Sequence, residues 1–431
     1  MRPKIRKEQI SENLLTIINS QTGNWVGGDK DKIEYIFQQI EKNNIRDLKD
    51  SNYFEIITKS ELLKRQYKKK KDKPQLFVIH VGHSCNINCV YCYAKKDNNN
   101  ISPKIIAGIA SFLSEIPDPI WIQFMGGEPL LYIDIIEDII YQIKRTRKSY
   151  ETNFELQTNG LLLNNKNILS FLQKHQIAFG ISYDGPNELS GSRYGNKTDK
   201  YDKVLNKNIS ILKSLNIDFG VLTVVSVSNV YKLKDVLSWA INNKLKRISF
   251  IPLISNNNIT TDIYVDEKIF KQELISLYKE WIEKKLYTQI DIFNFSSLID
   301  NITDSARNFM CRKHPCGAGN DQLAFDINGD IYPCDYLVGT PNTIIGNVET
   351  DTLGSLLKVK EKYYKSFASE FSDCINCSLL SICGSCLFQM DLMAGLKTCA
   401  RKYCQTDKSI IKEIFNSLLT NEEFENYIQD K

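Results

Sequence analysis

The chain has 431 residues, 42% of them hydrophobic and 25% charged, with a formal net charge of +4. That size and balance describe a globular protein of several domains with a sizeable core, and exclude a disordered or fibrous chain. The charge is too mild to argue for nucleic acid. No apolar run reaches the roughly 18 residues that mark a membrane-spanning helix, and the opening MRPKIRKEQI lacks a signal peptide's apolar centre. The expectation is a cytoplasmic protein with no nucleic-acid and no membrane partner.

The first unit, residues 1–73, is free of cysteine. Leu14–Asn19 and Trp25–Val26 read as short strands around turn residues, and Asp31–Glu41 has helical spacing at Ile33, Ile36, Phe37 and Ile40. Seven Lys or Arg between Lys64 and Lys73 form either a solvated linker or a basic surface for an acidic peptide.

The second unit, residues 74–305, alternates short apolar runs with amphipathic stretches. The runs are Leu76–Val81, Ile120–Phe124, Asn153–Gln157, Ala178–Ser182, Phe219–Val225 and Arg247–Ile251. Helical candidates lie between them at Pro103–Ile116, Ile133–Arg147, Asn167–His175, Tyr201–Leu215 and Lys232–Asn243, and a further helix is expected over Glu267–Leu286. Strands alternating with helices predict βαβ units and a parallel sheet. Six units fall short of a complete eight-unit barrel, so the fold class is α/β with a partial (β/α)6 barrel. The third unit, residues 306–431, is rich in cysteine and turns.

Cysteine usage carries the chemistry. Eleven of the twelve cysteines follow residue 88 and nine lie from Cys311 to Cys404. In a reducing compartment such clusters bind metal rather than pair as disulfides. Cys85, Cys89 and Cys92 follow the first barrel strand with three and then two intervening residues. Iron–sulfur clusters take four thiolates, so three close cysteines would leave one iron of a four-iron cluster open to a ligand. The second strand runs into Met125-Gly126-Gly127-Glu128-Pro129, where the glycines leave room for close approach to the backbone. In barrels of this kind the catalytic groups gather at the C-terminal ends of the strands, so both motifs share one face. A zinc site drawing on His80 or His83 is the alternative for the triplet, but it leaves the GGEP segment unexplained. The pairs Cys374/Cys377 and Cys383/Cys386, read alone, also fit a zinc ribbon.

Taken together these motifs resemble the radical S-adenosylmethionine (SAM) family, which has the same three-cysteine spacing, an aromatic before the third cysteine (Tyr91) and a GGEP segment after the second strand. The resemblance implies that SAM chelates the open iron and that Gly126, Gly127 and Glu128 hold its amino group. It implies a ribose contact at Ser182 and a carboxylate contact at Arg193. The C-terminal pattern resembles the SPASM extension, which carries two auxiliary clusters, giving three [4Fe-4S] clusters in all. By resemblance one auxiliary cluster takes Cys311, Cys316, Cys334 and Cys386. The other takes Cys374, Cys377, Cys383 and Cys404, with Cys399 spare. The family usually has three residues between the cysteines at 383 and 386, where this chain has two.

The resemblance is closest in style to maturases of ribosomally made peptides and to anaerobic sulfatase-maturating enzymes. Asp335, after Cys334, matches the proposed general base of the latter. Residues 1–73 stand where many peptide maturases recognise a leader; a covering role is the plainer reading. The expected activity is an oxidative crosslink, thioether or carbon–carbon, in a precursor peptide with a leader, served by an electron donor such as flavodoxin or ferredoxin. Formylglycine formation on a sulfatase is the alternative, and an iron–sulfur or zinc scaffold without catalysis is the non-enzyme one.

Overall fold

The computed structural model describes residues 5–20, 23–42, 75–92, 94, 96–253, 261–303, 309–313, 316–340, 342–356, 376–384 and 403–430. Cys374, Cys386, Cys399 and the basic run at 64–73 lie outside the described residues.

The front unit is an antiparallel sheet of β1 (Ile5–Gln9), β2 (Leu14–Asn19) and β3 (Trp25–Asp29), followed by α1 (Lys30–Glu41). Asp29 turns sheet into helix, its carboxylate accepting from the backbone N–H of Asp31 and Lys32; this satisfies two of the first turn's orphan donors. Leu15, Ile17 and Val26 close on Ile33 and Ile36 as a small core of their own. Ile18 faces the other way, into the main core. The sequence reading missed β1, because IRKEQ offers no apolar alternation; the strand forms by backbone pairing with β2.

The body is a ten-stranded sheet in the order β10-β9-β8-β7-β6-β5-β4-β11-β12-β13. The six predicted strands are β4 (Leu76–His80), β5 (Ile120–Met125), β6 (Thr152–Thr158), β7 (Ala178–Ser182), β8 (Gly220–Val225) and β9 (Arg247–Pro252), all parallel. Between them run α2 (Pro103–Ser114), α3 (Ile133–Thr146), α4 (Lys166–His175), α5 (Thr198–Ser214) and α6 (Leu233–Asn242). Ser102 caps α2 by accepting from Ile105 N–H, and Pro103 supplies a first-turn residue with no donor to lose.

Alternate strand residues such as Phe77, Ile79, Ile122, Phe124, Phe154 and Leu156 are buried under the helices. Each such side chain contributes about 1.5–3 kcal/mol of hydrophobic stabilisation. The intervening residues form the concave inner face of a partial barrel.

The sheet extends beyond the six strands on both sides. At one edge β10 (Asp291–Ile292) adds in parallel to β9 and leads into α8 (Phe293–Thr303), after α7 (Glu267–Glu283). At the other, β11 (Gln322–Phe325) adds in parallel to β4, and β12 (Asp330–Tyr332) and β13 (Gly346–Asn347) continue antiparallel. The cysteine-rich region therefore shares one sheet with the barrel.

Two helices end the chain, α9 (Cys404–Thr420), packed along α7, and α10 (Glu422–Gln429). Trp25 of β3 docks the front unit here: its ring meets Phe415 edge-on at 4.7 Å, and its Nε1 donates to the Ile302 carbonyl at 3.0 Å. Glu8 adds contacts to Lys412 at 2.8 Å and Ser378 at 2.6 Å. Among the described residues no helix is long and apolar enough to cross a membrane.

Candidate active site

Cys85, Cys89 and Cys92 lie on the loop that leaves the C-terminal end of β4, and all three are half-buried free thiols. The loop is held by backbone: Cys92 N–H donates to Cys89 O at 3.2 Å and Val90 N–H to Ser192 O at 3.0 Å. Burial pushes the Cys85 thiol up, and Glu128 and Cys92 nearby add to the effect. Burial also pushes the Cys89 thiol up to about 11, with Arg193 opposing and Cys92 reinforcing. The thiols thus sit within electrostatic reach of one another, where three thiolates need a shared cationic centre. Among the described residues no three His, Cys, Asp or Glu side chains converge on a single metal ion.

The GGEP segment after β5 packs directly on the lead-in to that loop. Gly127 N–H donates to Gly82 O and Glu128 N–H to Ser84 O, both at 2.9 Å. A Cβ on Gly126 would stand 2.3 Å from Gly82 O, and one on Gly127 only 2.1 Å from Ser84 O. The room these glycines leave is filled by neighbouring backbone, a tighter reason for glycine than ligand approach.

Glu128 is fully buried and knits three segments together. Its Oε1 accepts from Leu130 N–H at 3.1 Å and Thr158 Oγ1 at 2.7 Å, and its Oε2 accepts from Asn159 N–H at 2.8 Å. A carboxylate offers about four acceptor positions, so one is left for an ammonium group. Burial raises the Glu128 carboxyl, opposed by these hydrogen bonds. Asn159, which the sequence reading overlooked, also reaches Asn86 Oδ1 at 2.6 Å and lies 3.9 Å from Cys85 Sγ.

Arg193 and Tyr91 meet on a carboxylate that the sequence reading did not single out. Tyr91 Oη donates to Asp184 Oδ2 at 2.5 Å, and Arg193 Nη2 pairs with Asp184 Oδ1 at 2.9 Å. Burial pushes the Tyr91 hydroxyl up, and Asp184 adds to the effect. Arg193 Nε is buried with no hydrogen-bond partner among the described residues, a donor that a ligand carboxylate would satisfy. Ser182, at the end of β7, accepts from Gln157 Nε2 at 2.9 Å. These residues fit SAM: a spare carboxylate position on Glu128 lies within electrostatic reach of Cys85, and the orphan guanidinium donor of Arg193 within reach of Cys89.

Asp335 follows Cys334 on a short turn, Asp335–Leu337, that covers the inner face. Leu337 packs there with Val78, Ala324 and Tyr332, and Met125 and Cys334 lie against them. Asp335 Oδ1 lies 2.7 Å from His80 Nε2. His83 is equally engaged, with Asp97 at 2.9 Å and Asp326 at 3.6 Å. Both imidazoles thus already face carboxylates.

Of the auxiliary cysteines, Cys316, Cys383 and Cys404 are buried and Cys311, Cys334 and Cys377 half-buried. Cys404 opens α9, and Asp407 one turn later accepts from Cys383 Sγ at 3.9 Å and from Arg312 at 2.7 Å. Gly384, at φ 79°, would bring a Cβ within 2.5 Å of the Arg312 backbone. The segments bearing Cys311, Cys383 and Cys404 are thereby brought together.

Comparison with known proteins agrees with this geometry. The radical SAM superfamily matches residues 79–240, and the SPASM iron–sulfur cluster-binding domain matches residues 316–387. An uncharacterised protein of Methanocaldococcus jannaschii is 30% identical over 68% of this chain and 95% of its own length. The cysteine-type anaerobic sulfatase-maturating enzyme of Clostridium perfringens is 23% identical, over 80% of this chain and 97% of its own. Among solved structures, anSMEcpe with bound AdoMet and Cp18Cys peptide superposes with a TM-score of 0.72 at 21% identity, covering 83% of this chain and all of that one. Streptococcus suis SuiB bound to the precursor peptide SuiA gives 0.57 at 17% identity, covering 92% and 99%. The chain belongs to the radical SAM superfamily and carries a SPASM domain. It is a radical SAM enzyme, and its two domains are ones that imply [4Fe-4S] clusters and SAM.

Proposed function

We propose that this enzyme installs an oxidative crosslink, thioether or carbon–carbon, in a ribosomally made precursor peptide. The observation that carries the reading is the front unit. It has its own core of Leu15, Ile17, Val26, Ile33 and Ile36, and Trp25 and Glu8 anchor it to the cysteine-rich end of the chain. Residues 1–73 are then the leader-recognition part, 74–305 the catalytic barrel and 306–431 the auxiliary-cluster part. The SuiB likeness, which spans more of this chain than the anSMEcpe likeness does, supports an arrangement of that kind.

When bound, SAM and the cluster on Cys85, Cys89 and Cys92 supply a hydrogen-abstracting radical, and the two auxiliary clusters supply a sink for one electron. Gly126, Gly127 and Glu128 would hold the amino end of SAM, Arg193 its carboxylate and Ser182 its ribose. Closing the bond also releases a proton, which Asp335 takes while His80 holds its carboxylate. The substrate loses one hydrogen atom, one proton and one electron, so the product is two hydrogens lighter per crosslink. A small acidic redox protein such as flavodoxin or ferredoxin supplies the reducing electron.

The runner-up is formylglycine formation on a sulfatase, favoured by the C. perfringens relative and compatible with the same Asp335 role. Incubating the reconstituted enzyme with short peptides and with sulfatases encoded in its own genome separates the two. A mass loss of two hydrogens supports crosslinking. A gain in mass, inverted stereochemistry at constant mass, or a formylglycine on a sulfatase overturns it.

A further inference from the structure

The inner face of the barrel presents one acid that the reading above leaves unused. On β6, Phe154 and Leu156 lie under the helices, Phe154 stacked on Phe124 with ring centroids 6.0 Å apart. The strand's period of two turns Asn153, Glu155 and Gln157 to the concave face. Gln157 marks that direction, since it crosses to Ser182 and lies over Gly180, where a Cβ would stand 2.3 Å from its Oε1.

Glu155 sits one step below Gln157, in register with Gln123 of β5 and Ala178 of β7, both uncharged. Burial pushes its carboxyl above the ordinary range, with no cation or donor among the described residues drawing it back. Among the described residues of β4–β9, the basic side chains on this face are already engaged. Arg247, at the foot of β9, pairs with Asp291 at 2.7 Å, and His80 is taken by Asp335. Glu155 is half-buried, and its carboxylate has no protein partner among the described residues; a cation arriving with the substrate would engage it through a charge-assisted hydrogen bond.

The geometry points to Glu155 as a substrate-positioning residue that takes a cationic side chain, the ammonium of lysine or the guanidinium of arginine, of the peptide in the barrel. This rests on the peptide reading above and adds the class of side chain presented beside the reacting residue.

The test uses the full-length reconstituted enzyme with SAM and a synthetic pool of random short peptides, the retained fraction being sequenced by mass spectrometry. Iron content and melting temperature check each variant's fold. Wild type is expected to enrich Lys- and Arg-bearing peptides about tenfold over Glu155→Gln. Glu155→Lys is expected to turn the preference toward Asp- and Glu-bearing peptides. Glu155→Asp, which keeps the charge, should retain the basic preference, and a loss as large as that of Glu155→Gln would overturn the inference. Equal basic enrichment in wild type and Glu155→Gln would overturn it too, while leaving the peptide reading standing. A wild-type enzyme that shows no basic preference in the retained fraction, or that retains no peptide, would overturn the inference, whereas the peptide reading itself falls only if the enzyme leaves precursor peptides unmodified.

Discussion

His80 and Asp335 are 255 positions apart in the chain and 2.7 Å apart in the fold. One belongs to the first barrel strand, the other to the turn after Cys334, so the pair sits at the junction of the two regions, where the proposed reaction would have it handle the proton. Asp335→Asn should keep cluster content and SAM cleavage while lowering product by about a hundredfold or more, the usual scale of a general base. His80→Gln should lower product less. Product by mass spectrometry, set against 5′-deoxyadenosine, checks this; equal loss of both would mean Asp335 is structural.

Asp184 gathers Tyr91 and Arg193. Asp184→Asn should strand a buried guanidinium, at about 3–5 kcal/mol, and weaken SAM binding as well. Tyr91→Phe removes a single donor and should cost about 1–2 kcal/mol. Denaturant unfolding of the two variants gives the order directly.

Gly127→Ala would drive a methyl carbon to 2.1 Å from Ser84 O, against backbone that cannot yield without moving Cys85. Iron bound at the SAM site should fall, while auxiliary iron is retained. Iron analysis after anaerobic reconstitution measures both; full loading would show the loop to be softer than its packing implies.

Cluster count is open to the same assay. Three clusters predict about twelve irons per chain, and about eight once Cys85, Cys89 and Cys92 are all Ala. That triple variant should make no 5′-deoxyadenosine. About four irons in the wild type, or zinc in the C-terminal region, would remove the auxiliary clusters from the account.

Trp25→Ala should loosen the front unit by about 3 kcal/mol, the scale of a lost aromatic contact, since it removes both the Phe415 packing and the bond to Ile302. Limited proteolysis should then cleave between this unit and the barrel sooner than in wild type.

The parts legible in the sequence were those with a local signal. Short apolar runs between helical stretches marked all six barrel strands, and cysteine spacing with GGEP pointed to the radical SAM family. What escaped was set by distant pairing. IRKEQ has no apolar face, and β10 and β13 are two residues long. Asp184 lies 93 positions from Tyr91, and His80 meets its partner only once the sheet has formed. A lone Asp or His in a sequence carries no sign of what it will face.

The pairing of β11 with β4 bears on how the protein is made. During synthesis β4 emerges early, yet the strand that covers one of its edges, Gln322–Phe325, is translated more than two hundred residues later. Until then an apolar strand next to the cysteine triplet has an open edge, the kind that recruits other chains. Nascent chains stalled before residue 322 should therefore aggregate or hold a chaperone, and release should follow the emergence of β11.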